Sequence, residues 1–326
     1  MTHLLLYKCW RESRWLLAGC AASIFTFCWL RVWIVSRLST DRFRAILEML
    51  PGDWRKFLSV DFEWLITYPG RIALAYQELI VVLCVAVWAI ARGSDAVSGE
   101  INRGTMEMLL AQPVSRRHVL WTQNTVAVVG MAVLAAAAWT GTAAGIWTTH
   151  VKEEVYPRLA LPFPFPGLGD SLPLPFGTPE TRQIPMRDKV DARVFLPASA
   201  NLFAMGVLMA GVTTWLSSWD RYRWRTIGIM TGTMIVQVIL KAAAMGLEGW
   251  EWLSYTTVLS AYVPEVHVRI ADATPEQLWA LMQTDEQGGW TGLGPVVQDL
   301  LLLGGGVVGF IAAVYRFSRR DLPAPL

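Results

Sequence analysis

The sequence predicts an all-α membrane protein with six transmembrane helices, both termini on the cytoplasmic side, and a short helix on that side between the second and third spans. Three observations predict it. Of 326 residues, 54% are hydrophobic and only 17% charged, whereas a soluble domain of this length carries about a quarter charged residues. Six apolar stretches are each long enough to cross ~30 Å of hydrocarbon, which takes roughly 20 residues as a helix. Lys and Arg gather in tight clusters beside alternate helix ends, the pattern that sets orientation.

The elements follow in order. Residues 1–14 are expected to form a cytoplasmic interfacial helix, because HLLLYKCWRESR mixes Leu4, Leu5, Tyr7 and Trp10 with Lys8, Arg11 and Arg14. Residues 15–326 then make the transmembrane domain, with spans at about 15–36, 72–91, 119–148, 198–217, 226–247 and 296–315. LAGC at 17–20 matches a lipoprotein cleavage box, but the apolar run continues after it rather than preceding it, so this span reads as uncleaved. Trp15, Trp33, Trp88, Trp121, Trp147, Trp215, Trp219, Trp224, Trp250 and Tyr315 mark span ends, as an interfacial aromatic belt does.

Three extracytoplasmic loops are expected, at 37–71, 149–197 and 248–295. In the first, Phe43, Ile46, Leu47 and Leu50 recur at helical spacing before Pro51-Gly52. In the second, the prolines of LPFPFPGLGDSLPLPFGTPETRQIP predict an extended, irregular chain. The third holds a short helix from Thr274, with Pro275 in its first turn.

Orientation rests on Lys8, Arg11 and Arg14, then Arg92, Arg103, Arg116 and Arg117, then Arg221, Arg223 and Arg225, then Arg316, Arg319 and Arg320. Put on one side, they cluster beside helix ends. As many Lys and Arg fall on the other side, but spread over a longer stretch and offset by Asp and Glu. The clustered side is the cytoplasm.

That places SGEINRGTMEMLLAQPVSRRH, residues 98–118, inside. Gly104 can end one helix in the left-handed C′ conformation. Thr105 can cap a second, with Glu107 in its first turn where the dipole favours an acid. Met106, Leu109 and Leu110 make one apolar face, Pro113 ends the helix, and Ser115 caps the next span. Such a helix can transmit a push from a cytoplasmic partner. On periodicity alone it can equally rest on the bilayer surface or on the chain's own helix ends.

The run EINRGTMEMLLAQPVSR, from Glu100 to Arg116, resembles the signature of ABC-2 type transporter permeases, close to E-x-x-x-G-T-x-E-x-L-L-x-x-P-V-S-R and ungapped. The resemblance implies that the short helix is a coupling helix docking into a groove of a separate ATP-hydrolysing subunit. Glu100, Arg103, Gly104, Thr105, Glu107, Leu109, Leu110 and Pro113 would then form the contact. Gly104 and Pro113 would shape it, Leu109 and Leu110 fill the groove, and Arg103 and Glu107 make polar contacts. It further implies a second permease copy, a lipid environment in the bacterial inner membrane, and export. ATP and Mg would be bound by the partner, since no G-x-x-x-x-G-K-[ST] occurs in the chain.

Glu78, Lys241 and Asp299 lie roughly 8–12 Å in from the outer ends of their spans at 1.5 Å per residue. Ionisable groups at such depth are costly and usually paired. Lys241 is expected to pair with Glu78 or Asp299; the alternative is that it snorkels outward while the acids sit at an interface.

Other chemistry finds no foothold. Cys9, Cys20, Cys28 and Cys84 form no CxxC pair, and His3, His118, His150 and His267 show no metal-ligand spacing. The formal charge of +2 brings no basic patch interleaved with aromatics, so no nucleic acid is expected. No G-x-S-x-G or H-E-x-x-H supports an embedded enzyme. A secondary transporter or channel without an ATPase, or a regulatory membrane anchor for one, are the other function classes.

Overall fold

The computed structural model describes residues 2–38, 43, 49, 60–111, 114–155, 158–165, 169–173, 180–247, 249–284 and 290–320. The helix expected within 40–58, and Pro113, lie outside them. Among the described residues, six helices are long and apolar enough to cross a membrane, and the chain is a multi-pass membrane protein.

The first helix, α1 (Thr2–Arg37), is continuous. The expected separation of an interfacial helix from the first span is absent, because nothing in residues 10–20 breaks the helix: no Pro occurs and Gly19 meets no neighbouring atom. Its buried stripe of Leu17, Cys20, Ile24, Cys28 and Val32 follows helical spacing.

The second span is not one helix. After α2 (Phe62–Ile66) and α3 (Tyr68–Ala73), a 3₁₀ turn (Leu74–Gln77) leads to Glu78 in extended conformation, φ −61° and ψ 144°. Only then does α4 (Leu79–Ser94) begin. It runs through a π-helical turn (Asp95–Gly99) into α5 (Glu100–Asn102), followed by α6 (Thr105–Leu110) and α7 (Arg116–Thr148).

In the proline-rich loop the described residues form ladders rather than an irregular chain. β1 (His150–Val155) pairs antiparallel with β4 (Glu180–Pro185), and β2 (Arg158–Phe165) with β3 (Gly169–Pro173). In two-stranded pairs each strand has a free edge, so Pro there need not cost a ladder bond. Then come α8 (Leu196–Trp219), α9 (Arg223–Gly246), α10 (Pro264–Ala273), a 3₁₀ turn (Pro275–Trp279), the pair β5 (Met282–Thr284) and β6 (Trp290–Leu293), and α11 (Pro295–Arg319). The all-α class holds for the membrane part, with these small ladders confined to the loops.

α8 is the central helix, packed on α4, α7 and α11, while α9 is the most peripheral. The α8–α11 crossing is close because both partners lack side chains at the contact: a Cβ on Gly211 would lie 2.1 Å from the Gly306 carbonyl oxygen. Trp88 does not belong to the aromatic belt. It is fully buried, its Nε1 donates to Ala127 O at 3.0 Å, and its ring lies against Gly130.

At the loop end of the bundle, α10 caps the helices by packing on α3, α8 and the Leu74–Gln77 turn. Asn201 staples it: its Nδ2 donates to Ala261 O at 3.1 Å, and its Oδ1 accepts from Val263 N at 3.2 Å. Thr274 and Pro275 do start a helical turn, as the sequence suggests, but it is 3₁₀ and is preceded by α10, which the sequence reading missed.

Candidate functional site: the hairpin and the charges that hold it

The hairpin between α4 and α7 begins where the α4 backbone widens into the π turn. That widening leaves backbone donors to be satisfied from elsewhere. Ser217 of α8 supplies the partner: its Oγ accepts from Ser98 N at 2.9 Å and from Val97 N at 3.3 Å. Ser98 Oγ lies 3.0 Å from the same oxygen and donates to Ser94 O at 2.8 Å. All of these hydroxyls are buried.

Gly104 has φ +71° and open space around it, so it is there for conformation. Gly104 N donates to Ile101 O at 3.0 Å, closing the helix end. Thr105 is not the cap of the second helix but its first residue, and its hydroxyl donates to the Glu100 carbonyl at 3.2 Å and to the Glu100 carboxylate. Ser115 does cap α7, accepting from His118 N at 3.3 Å.

Of the apolar face, Met106 and Leu109 turn inward. Met106 packs on Ala96, Val97, Leu120, Val314 and Phe317; Leu109 packs on Leu5 and Val119. Leu109, expected to fill a partner's groove, is therefore occupied by its own chain. Met108 points away and is 72% exposed. The side chains of Glu107 and Leu110 lie outside what the structure describes.

Glu100 is fully buried and ionised groups converge on it: Lys8 Nζ at 3.2 Å and Arg103 at 3.2 Å. Asp95 collects three more contacts, from Arg103 at 2.6 Å, Arg223 at 3.3 Å and Arg92 at 3.6 Å. Arg92 in turn donates to Gln123 of α7. The hydrogen bond to Asp95 holds the Arg103 guanidinium above its ordinary pKa, against partial burial. Four cations and two acids thus tie α1, α4, the hairpin and the start of α9 into one block.

Glu12, Asp95 and Glu100 bring carboxylate oxygens within 4.8 Å of one another, a spacing a metal could use. Lys8, Arg92, Arg103 and Arg223 already neutralise these oxygens, so the grouping fits an ion-pair network. Sequence reading missed Lys8, Arg92, Asp95, Ser98, Ser217 and Arg223 as parts of the site. The i, i+3 spacing of Arg92 and Asp95 was the available signal; the contributions of α1 and α8 are tertiary and had none.

The three polar residues within spans do not meet. Lys241 pairs with neither Glu78 nor Asp299: its Nζ donates to Leu259 O at 3.0 Å and Tyr262 O at 3.1 Å. Glu78 faces Arg31 of α1 at 3.5 Å. Asp299 accepts from Asn201 Nδ2 at 2.7 Å and faces His267. The expected pairing fails because Arg31 takes Glu78 and the Leu259 and Tyr262 carbonyls hold Lys241.

Residues 12–163, which hold most of α1, then α2 to α7 and the hairpin, match the family described as ABC-2 family transporter protein. Together with six apolar helices, the match supports a membrane permease of an ABC transporter. No curated protein and no solved structure matches the chain.

Proposed function

We propose that this ABC-2 type permease is the membrane-spanning subunit of an exporter whose energy comes from a separate ATP-hydrolysing subunit docked on the hairpin. One observation carries the reading: a short helix with an outward face follows directly on a segment whose two buried acids, Glu100 and Asp95, are ion-paired with α1, α4 and α9. A partner that pushes on α6 moves α1, α4 and α9 together, which is what coupling of ATP hydrolysis to transport requires.

The residues divide into two roles. Glu100, Thr105 and Leu109 anchor the helix to the bundle, and Gly104 sets its angle. Met108 forms the centre of the docking face; the family resemblance adds Arg103, Glu107, Leu110 and Pro113 to the contact. The hairpin end, with Lys8, Arg92, Arg116 and Arg320, is cytoplasmic, and both termini lie there, in a bacterial inner membrane. ATP and Mg are held by the partner.

A second permease copy completes the conduit. Support comes from the flank of the bundle, where α4 and α9 leave an apolar groove of about 570 Å³ lined by Leu79, Leu83, Val87, Ile235 and Val238. Gly228 and Gly232 of α9 have no neighbour within 4 Å, so this helix can approach another closely.

Copurification tests the reading. The tagged chain, extracted from native membranes in mild detergent, should bring down a P-loop ATPase identified by mass spectrometry. Met108→Asp should release it while the permease stays folded. An ATPase bound equally by Met108→Asp, or none captured even after crosslinking, would overturn the proposal.

A further inference from the structure

A second buried constellation lies at the opposite end of the bundle, where α10 meets α8 and α11. His267 is 1% exposed, and its Nδ1 lies 3.1 Å from the Val263 carbonyl. A carbonyl only accepts, so Nδ1 carries the hydrogen. The other nitrogen, Nε2, is buried with no hydrogen-bond partner and faces Asp299 Oδ1 at 3.6 Å. In the neutral ring two acceptors therefore confront each other. Protonation of Nε2 resolves the conflict by making an ion pair.

The carboxylate side of the pair is the side open to a ligand, Asp299 being 23% exposed. Asp299 and His267 form the polar floor of an open cavity of about 330 Å³, whose walls are Leu196, Pro197, Leu278, Trp279 and Val296. Asn201 holds the carboxylate in place at 2.7 Å. The other charged groups on the packed elements are engaged elsewhere: Arg269 with Asp61, Glu265 with Gln77, Asp272 with Trp64, and Arg71 with the Leu38 carbonyl. Arg193 and Glu276 lie on 3₁₀ turns that pack on α10, and Asp299 is the charge that acts on the ring.

We propose that this cavity binds hydrophobic organic ammonium ions, and that the ammonium competes with the proton on His267 Nε2 for the Asp299 carboxylate. The ammonium nitrogen donates to the Asp299 carboxylate, and its apolar body fills the cavity beside Trp279. Entry of the ammonium sends the Nε2 proton to solvent, so one cation replaces another and the charge of the site is unchanged. Burial disfavours the charged ring, but the Asp299 carboxylate together with the Val263 and Pro295 carbonyls outweighs it, and the His267 pKa is raised. Near neutral pH the proton is then a real competitor. This site stands independently of the ATPase contact proposed above.

The test uses the full chain in lipid nanodiscs with naphthylmethylamine as fluorescent probe and naphthylmethanol as its neutral counterpart. Alkyl ammonium groups stay charged well above neutrality, as Lys does. The amine should bind at least tenfold more tightly at about pH 8 than at about pH 5.5, by linkage to the proton. The alcohol should bind at least tenfold more weakly than the amine at about pH 8. His267→Gln should bind the amine with no pH dependence, and Asp299→Asn should lose at least tenfold in affinity. Calorimetry of the native chain near pH 6, in two buffers of different protonation heat, should show close to one proton released per amine bound. That count decides the matter even if Asp299→Asn fails to fold. Equal binding of amine and alcohol, or no proton release, overturns the proposal.

Discussion

Replacing Asp95 by Asn removes the charge on which three arginines converge, and the structure sets the size of the effect. The Asp95 and Arg92 side chains are 10% and 4% exposed. Leaving a buried charge without its partner typically costs about 3–5 kcal/mol. Arg92 keeps its bond to Gln123, which puts the expected loss near the low end, about 3 kcal/mol. Arg103 and Arg223 are 40% and 36% exposed; water screens them, and each adds no more than ~0.5 kcal/mol. The total is about 3–4 kcal/mol, read as unfolding free energy in detergent. A double-mutant cycle with Arg92→Gln should show a coupling above ~1 kcal/mol, as residues in one network do. A loss below ~1 kcal/mol, or strict additivity in the cycle, would refute the claim that the network makes the hairpin rigid.

Four further outcomes are expected. Gly104→Ala should cost about 1 kcal/mol through its left-handed backbone alone, since no atom lies within 4 Å of an added Cβ; a larger loss would mean a clash that the structure does not contain. Gly211→Ala should destabilise by several kcal/mol, with its Cβ 2.1 Å from the Gly306 carbonyl, whereas Gly228→Ala should be neutral or stabilising in the isolated chain. Gly130→Ala should cost about 1–3 kcal/mol by driving into the Trp88 ring, and Trp88→Phe in the same chain should recover part of it in thermal unfolding. The stability that His267 gains from Asp299 should be fully present below its ordinary pKa of 6.5 and be lost as pH rises through the raised folded value. The difference in unfolding midpoint between native protein and Asp299→Asn should therefore shrink toward alkaline pH.

Much of the architecture was legible because it depends on runs and breaks within the chain. Six apolar stretches gave six helices, and Gly104 could be read as a left-handed terminator from its place between two helical patterns. The hairpin's inner face was legible in part: periodicity put Met106 and Leu109 on one side. It could not say whether that side faced a partner or the chain itself, because the answer lies with Leu5 and Phe317, far away in sequence. The same limit hid Lys8 and Arg223, which reach Glu100 and Asp95 from other helices. Trp88 read as an interfacial ring because Trp is common at span ends; only the missing side chain of Gly130 on a neighbouring helix makes room for it in the core. Lys241, Glu78 and Asp299 shared a depth, and depth alone does not fix azimuth. The ladders of the proline-rich loop were missed because Pro argues against a central strand, and these strands are pairs with open edges.

The most direct measurement of the docking claim is photocrosslinking in living cells, with a benzophenone amino acid at position 108 and, separately, at position 279. Met108 and Trp279 are both well exposed, at opposite ends of the bundle. The account predicts that the probe at 108 captures a P-loop ATPase and the probe at 279 does not. Capture of the ATPase from 279, or of no ATPase from 108 in cells where transport is active, would contradict it.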